Sequence, residues 1–315
     1  MNHMPPTLSG IHFSATTMKP HSPAPTLTVA VLGIGLMGSP MARRLCEAGL
    51  RVHVWNRSPA KAQALEALGA TAFASPADAV RGAHLVITML QDGPAVEDVL
   101  FTQGAALGLQ PGTLVVDMSS IQPRQARDHA ARLAALRVDC LDAPVSGGTV
   151  GAEAGTLAIM AGGRAADFER ARPVLELLGR PTHVGPTGSG QLAKLANQMI
   201  VGITIGAVAE ALLFAARGGA DMGKVREAIS GGFAESRILH VHGQRMVERD
   251  FAKRAAVTVQ LKDMRNAVAT AQETGFEAPI TQLFAQLFEQ ATDHGLGDLD
   301  HSALFVELAS RNGMA

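Results

Sequence analysis

Hydrophobic positions change their rhythm once along this chain. From Leu27 onward, short apolar runs alternate with stretches of helical period: LTVAVLG at 27–33, a helical stretch over Met37–Ala48, RVHVWN at 51–56, another over Pro59–Leu68, and HLVITML at 84–90. TLVVDMS at 113–119, RVDCLDAPV at 137–145, TLAIMAGG at 156–163 and PTHVGP at 181–186 continue the series. Strands separated by helices of about 10 to 15 residues predict βαβ units and a mostly parallel sheet. After Gly188 strand signals almost vanish. Helical periodicity then runs to Ala309, broken at Gly218-Gly219, Gly231-Gly232, Gly275 and 295–297. The pattern predicts an α/β protein in two domains: a doubly wound sheet over 28–188, then an all-α domain over 189–315. A long interdomain helix, 189–217, joins them, and no internal repeat is visible.

Residues 1–27 contain five prolines and a single charged side chain, Lys19, and are predicted to be a disordered extension. They lack the apolar core of a secretory signal and the arginines of a transit peptide, so a cytoplasmic location is expected; Met4 or Met18 could equally be the start. The most hydrophobic stretch, 199–216, approaches membrane-spanning length, but Glu210 and its glycines dilute it, which predicts a buried helix and no membrane partner. With 47% hydrophobic and 17% charged residues and a net charge of −1, the chain carries no electrostatic footprint for nucleic acid; a small-molecule partner is expected. Cys46 and Cys140 form no CxxC or Cys/His array, which suits a reducing compartment without a zinc site.

Chemistry gathers in four places. GIGLMG, comprising Gly33, Ile34, Gly35, Leu36, Met37 and Gly38, matches GxGxxG after a strand and at the opening of a helix, where a tight turn and free backbone N–H groups hold a dinucleotide pyrophosphate. The second strand ends in Asn56, Arg57 and Ser58, with Lys61 close by, where an NAD site places a carboxylate; removing the acid and adding cations favours the 2′-phosphate of NADP, with NAD the alternative. DAPVSGG, 142–148, sets Ser146 beside Gly147 and Gly148, either a carboxylate cradle or a plain loop. Lastly, Lys194 sits in a helix whose next fifteen residues carry no charge, with Gln191, Asn197 and Gln198 on its face. An ammonium group in such a helix costs several kcal/mol unless paired or shifted in pKa, so it points to a cleft. His240, His242 and His301 are not expected to hold a metal, because HVH spacing on a helix splits the ligands between faces. Asp300 reads as a helix cap.

The glycine loop, DMSS at 117–120, DAPVSGG at 142–148, GxGxxxK at 188–194 and LKD at 261–263 together resemble the β-hydroxyacid dehydrogenase family, in its order from residue 29 to about 309. KLANQ at 194–198, GGFAESRILHVHGQRM at 231–246 and DHSAL at 300–304 are most similar to its semialdehyde-reductase branch. The resemblance implies a Rossmann-type N-terminal domain and a lysine general acid/base, Lys194. It implies substrate contacts at Ser120, Ser146, Gly147 and Gly148, and cofactor contacts at Met89, Leu90, Ser120 and Lys262. It further implies NADPH-dependent reduction of tartronate semialdehyde to glycerate, with 3-hydroxyisobutyrate oxidation or reduction of succinic or glyoxylic semialdehyde as alternatives; a non-catalytic dinucleotide-binding module is the reading outside that class. A homodimer or homotetramer is expected. Many members place asparagine four residues after the lysine; here that position is Gln198, and Asn197 precedes it, so either amide could touch substrate.

Overall fold

The computed structural model of the 315-residue chain describes Met1 and residues 27–314, so the predicted extension falls, apart from Met1 and Leu27, outside the described residues. The first part of the chain runs β1 (Thr28–Leu32), α1 (Gly38–Glu47), β2 (Arg51–Trp55), α2 (Pro59–Gln63), β3 (Thr71–Ala72), α3 (Pro76–Ala79), β4 (Leu85–Thr88), α4 (Gly93–Glu97), α5 (Ala105–Gly108), β5 (Leu114–Asp117) and α6 (Pro123–Ala135). It continues through β6 (Asp139–Asp142), β7 (Val145–Ser146), α7 (Gly148–Ala154), β8 (Leu157–Gly162), α8 (Ala165–Leu175) and β9 (Gly179–Gly185). These strands form one sheet in the order β3-β2-β1-β4-β5-β6-β8-β7, with β9 paired to β8.

Strands β1 to β6 are parallel. β1, β4 and β5 are buried along their whole length, which is why their sequences are unbroken apolar runs rather than alternations. Successive residues still serve opposite faces: Val29 and Val31 enter one core with Met41, Leu45 and Leu157, while Ala30 and Leu32 enter another with Val96, Leu100 and Leu133. The chain leaves β1 toward β2 on one side and reaches β4 on the other. That reversal opens a crevice at the carboxyl ends of β1 and β4, where doubly wound sheets bind ligands.

Two local expectations are corrected. The helical stretch over 59–68 breaks into α2 and a 3-10 turn at Glu66–Leu68. RVDCLDAPV divides into β6 and β7 at Ala143-Pro144, because proline has no N–H to give a ladder, and β7 then runs antiparallel to β8. β3 has two residues, too few for a period to show.

The second part is helical: α9 (Ser189–Arg217), α10 (Met222–Ile229), α11 (Arg237–Glu248), α12 (Val257–Glu273), α13 (Pro279–Ala291) and α14 (Leu304–Arg311), with a 3-10 turn at His301–Ala303 before α14. α9, α10 and α12 stop at or within two residues of the predicted glycine breaks. By length and composition α9 could cross a membrane. Here it is the hub of a bundle: Ile205, Ala209, Leu212 and Leu213 pack with Met246, Leu261, Met264, Phe288 and Phe305, and its first turns lie against β8 and β9.

Candidate active site

The loop after β1 is shaped around an open space. Gly33 has φ +107°, and a Cβ there would stand 2.4 Å from Met89 O; one on Gly38 would stand 1.9 Å from Gly33 O, so neither position tolerates a side chain. A Cβ on Gly35 would meet nothing within 4 Å. Among the described residues, the N–H groups of Gly35, Leu36 and Met37 have no partner, and Leu36 is 78% exposed. Open donors at the start of α1, with backbone and no side chain facing the space, fit a pyrophosphate. Ile34 differs, since its N–H donates to Asn56 Oδ1 at 3.0 Å. Asn56 also donates to Ser58 O at 3.1 Å, so this amide braces the loop, while Arg57, Ser58 and Lys61 are exposed beside it.

A second set of bonds fixes α9 to the sheet. Asp142, buried at the end of β6, accepts from Gly188 N at 2.7 Å and Gln191 N at 2.8 Å, so a distant carboxylate caps the helix. The approach requires glycine: a Cβ on Gly190 would lie 2.3 Å from Asp142 O and 2.4 Å from Met160 O. Burial pushes the Asp142 carboxyl up to about 6 against the pull of those two N–H groups. Gln191, fully buried, accepts from Ile121 N at 3.1 Å and donates to Ser119 O at 2.8 Å. Ser119 in turn accepts from Leu90 N through Oγ at 3.0 Å and donates its N–H to Asp117 Oδ1 at 3.0 Å. The loops after β4 and β5 and the first turn of α9 therefore hold one another at fixed separations. Burial also raises the Asp117 carboxyl, which hydrogen bonds from Ser119 and Thr88 oppose.

One turn further along α9, Lys194 is 9% exposed, and its Nζ donates to Gln198 Oε1 at 3.1 Å. Gln198 Nε2 donates to Asp263 Oδ2 at 2.6 Å, and Asn197 Nδ2 donates to Gln198 Oε1 at 2.8 Å. The buried Asp263 lies 3.3 Å from Lys262 Nζ and accepts from Ser120 Oγ at 3.5 Å, while Lys262 Nζ donates to Ser120 O at 3.4 Å. The network thus joins α9, α12 and the loop after β5, and of the two amides Gln198 is the one facing the lysine. Burial pushes the Lys194 ammonium below its usual value; the Asp263 charge pulls it back, and Lys262 pushes it lower. A desolvated lysine held by one amide, with a carboxylate one residue beyond, can release a proton more readily than a free one.

Ser146 is half-buried, and Gly147 and Gly148 are exposed, at the start of α7. No hydrogen bond among the described residues ties them to the lysine network. Asp263 and Asp142 were missed as site residues, although LKD and DAPVSGG contain them; with Lys262 and Arg265 beside the one and Asp139 before the other, neither stands out as a charge in an apolar run. His240 and His242 separate as expected: His240 pairs with Glu235 at 3.3 Å on the surface. His242, however, meets Asp300 and His301, their ligand atoms within 4.8 Å of one another. Arg245 Nη1 bonds both His242 Nδ1, at 3.2 Å, and Asp300 Oδ1, at 3.1 Å, so a guanidinium already neutralises that carboxylate. Asp300 also caps its turn as predicted, accepting from Ser302 N.

Comparison with known proteins places this geometry. Residues 28–188 match the family described as the NAD binding domain of 6-phosphogluconate dehydrogenase, and residues 188–308 match that described as NAD-binding of NADP-dependent 3-hydroxyisobutyrate dehydrogenase. The chain is 42% identical over 293 residues to 2-hydroxy-3-oxopropionate reductase of Escherichia coli, covering 92% of this chain and 100% of that one. It is 38% identical over 285 residues to 3-hydroxyisobutyrate dehydrogenase of Pseudomonas aeruginosa, covering 88% and 95%. Among solved structures, 3-hydroxyisobutyrate dehydrogenase of Mycobacterium tuberculosis with L-serine superposes with a TM-score of 0.83 at 34% identity, covering 90% of this chain and 99% of that one.

Proposed function

The chain belongs to the β-hydroxyacid dehydrogenase family of NAD(P)-dependent oxidoreductases, and from that premise we propose that it reduces tartronate semialdehyde, 2-hydroxy-3-oxopropanoate, to glycerate with NADPH, reversibly. The observation that carries the proposal is Lys194, an almost fully buried ammonium with lowered proton affinity at the mouth of a polar network. When bound, NADPH supplies the hydride that reaches the aldehyde carbon. Lys194 stabilises the developing alkoxide and gives its Nζ proton to that oxygen; in the reverse direction the neutral amine takes the hydroxyl proton. Gln198 holds the ammonium in place. Ser146, the N–H groups of Gly147 and Gly148, and Ser120 hold the substrate carboxylate and aim the carbonyl at Lys194.

The open N–H groups of 35–37 hold the cofactor's pyrophosphate, with Met89, Leu90 and Lys262 along its length. NADPH is favoured over NADH because Arg57 and Ser58 lie exposed where an acid would otherwise stand. Similarity to the E. coli reductase supports the hydroxylated substrate; similarity to the 3-hydroxyisobutyrate dehydrogenases makes the 2-methyl compound its rival. A non-catalytic role would leave a buried lysine without a purpose. The enzyme assembles as a homo-oligomer through its helical part, with α9 at the contact. NADPH oxidation measured side by side with tartronate, methylmalonate, succinic and glyoxylic semialdehydes tests the substrate; the highest kcat/KM must fall on the first.

A further inference from the structure

The turn His301–Ala303 is pinned from every side. His301 N donates to Ala255 O at 2.7 Å and Asp300 N to Phe251 O at 3.0 Å. The buried Asp300 carboxylate accepts from Ser302 N at 3.2 Å, Ser302 Oγ at 2.6 Å, Ala255 N at 3.2 Å and Arg245 Nη1 at 3.1 Å. With its backbone fixed, His301 sets its ring edge-on to His242, centroids 4.6 Å apart at 82°. Arg245 serves the His242 nitrogen, but among the described residues nothing hydrogen-bonds either nitrogen of His301, and neither is a sealed, unpartnered atom. One of those nitrogens lies within 4.8 Å of the His242 and Asp300 ligand atoms, which leaves the other, on a fixed imidazole, for a ligand.

The direction it faces follows from α12. Ala256, just before that helix, pairs with Asp300; Gln260 donates to Gln198 O at 3.0 Å; Asp263 takes the Gln198 side chain. Those positions, four and then three residues apart, share one face of α12. The turn packs against α9, α11 and α12, along the seam that holds Lys194. Lys194 is close enough for its charge to act on the ring. Burial first, then the Arg245 and Lys194 charges, against the opposing pull of Asp300, push His301 down to about 4. The ring is therefore neutral at neutral pH, one nitrogen a donor and the other an acceptor.

We propose that His301 contacts the substrate and hydrogen-bonds the hydroxyl on C2 of a 2-hydroxy-3-oxo acid, so that the site selects hydroxyl over methyl at that carbon. This rests on the reductase activity proposed above. Through its free nitrogen a neutral imidazole meets a hydroxyl as donor or as acceptor, since a hydroxyl serves as either, whereas the substrate carboxylate is better served by the N–H groups at Gly147 and Gly148. A methyl there leaves a ring nitrogen desolvated and unpaired, which is how sites built for a hydroxyl reject its analogue.

The test compares 2-hydroxy- and 2-methyl-3-oxopropanoate as substrates for wild type, His301→Leu and His301→Gln, by NADPH oxidation. His301→Leu is expected to lose about 10- to 100-fold in kcat/KM on the hydroxy compound and to gain on the methyl compound, because no ring nitrogen is then left unpaired against the methyl. His301→Gln, which keeps a donor and an acceptor, should recover part of the loss and serves as the folded control should the leucine variant not fold. Equal losses on both compounds, or no loss on either, would overturn the assignment of His301. A wild type that reduces the methyl compound in preference to the hydroxy one would instead overturn the substrate proposed above, and this inference with it.

Discussion

Replacing Lys194 with methionine separates chemistry from folding, because the two readouts should move in opposite directions. In the proposed reaction Nζ is the proton donor to the developing alkoxide, and positioned acid–base groups contribute about 10²- to 10⁴-fold. Lys194→Met should therefore lower kcat by that factor, about 3 to 5 kcal/mol of transition-state stabilisation. NADPH affinity should stay near normal, since Nζ bonds Gln198 and not the glycine loop. Stability should rise. The ammonium is desolvated and holds one amide, and Asp263 keeps Lys262 at 3.3 Å as its partner after the change. An apolar side chain of similar length removes the desolvation cost, worth about 1 to 2 kcal/mol. The sign with pH follows from the lowered folded-state value: the unfolded chain holds the proton more tightly, so wild-type stability increases as pH climbs from the folded pKa toward the ordinary 10.5. The variant should lack that rise. Steady-state NADPH oxidation and urea unfolding across pH measure both effects. Turnover near wild type would refute the acid role, and a variant less stable than wild type would show that the ammonium ties the structure together.

Gln191→Met removes both bonds from α9 to the loop after β5, and kcat should fall about 10- to 100-fold through misplacement of Lys194 while calorimetric NADPH affinity holds; an unchanged kcat contradicts the positioning role. Asp142 has a folded-state pKa of about 6 against an ordinary 3.8, so its stabilising contribution is present at low pH and lost as pH rises through that window, on the order of 3 kcal/mol. Asp142→Asn, which cannot ionise, should flatten the urea midpoint between pH 4 and 6, and a slope that persists belongs to another group. Arg57→Ala should narrow the NADPH-over-NADH ratio of kcat/KM by about 10- to 100-fold, the worth of a charged hydrogen bond; a wild type that prefers NADH removes the premise. Light scattering on size exclusion should give a multiple of 32.8 kDa, and Ile200→Glu with Phe214→Glu should reduce it; a fully active wild-type monomer rules the assembly out.

What could be seen in the sequence was what repeats or what conflicts with its surroundings. The buried strands announced themselves as apolar runs, the helix ends as glycines, and Lys194 as a charge in the wrong company. Partners brought together by the fold stayed invisible. Asp263 follows Gln198 by 65 residues and Gln191 precedes nothing it touches locally, reaching back 70 residues to Ile121 N. No local period encodes such a pairing. Asn56 hides a second role for a related reason: its type suggested ligand recognition, and its carbonyl also accepts from Ile34 N, 22 residues away. Asp300 was legible as a cap because capping is local, but its place between Arg245 and His242 was not.

The apolar helix that raised the question of Lys194 also answers for the surface it leaves. One side of α9 carries Gln191, Lys194 and Gln198 over its first turns and, further along the same side, Ile205, Ala209 and Leu212, which pack into the bundle. The opposite side carries Leu192, Ala196, Ile200, Ala207, Ala211 and Phe214, spaced three, four or seven residues apart and so stacked, with Glu210 as the one charge among them. Ile200 is 67% exposed and Phe214 81%. The chain covers the first side and leaves the second in water, and an apolar stripe so exposed is the usual mark of an association surface. The stripe begins within the turns that bear the lysine, so a partner seated on it would clamp the stretch of backbone from which Lys194 and Gln198 project. Assembly and catalysis would then share one rigid element. Dissociating such an oligomer should accordingly lower kcat before it disturbs the glycine loop, which lies at the carboxyl end of β1 and not on α9.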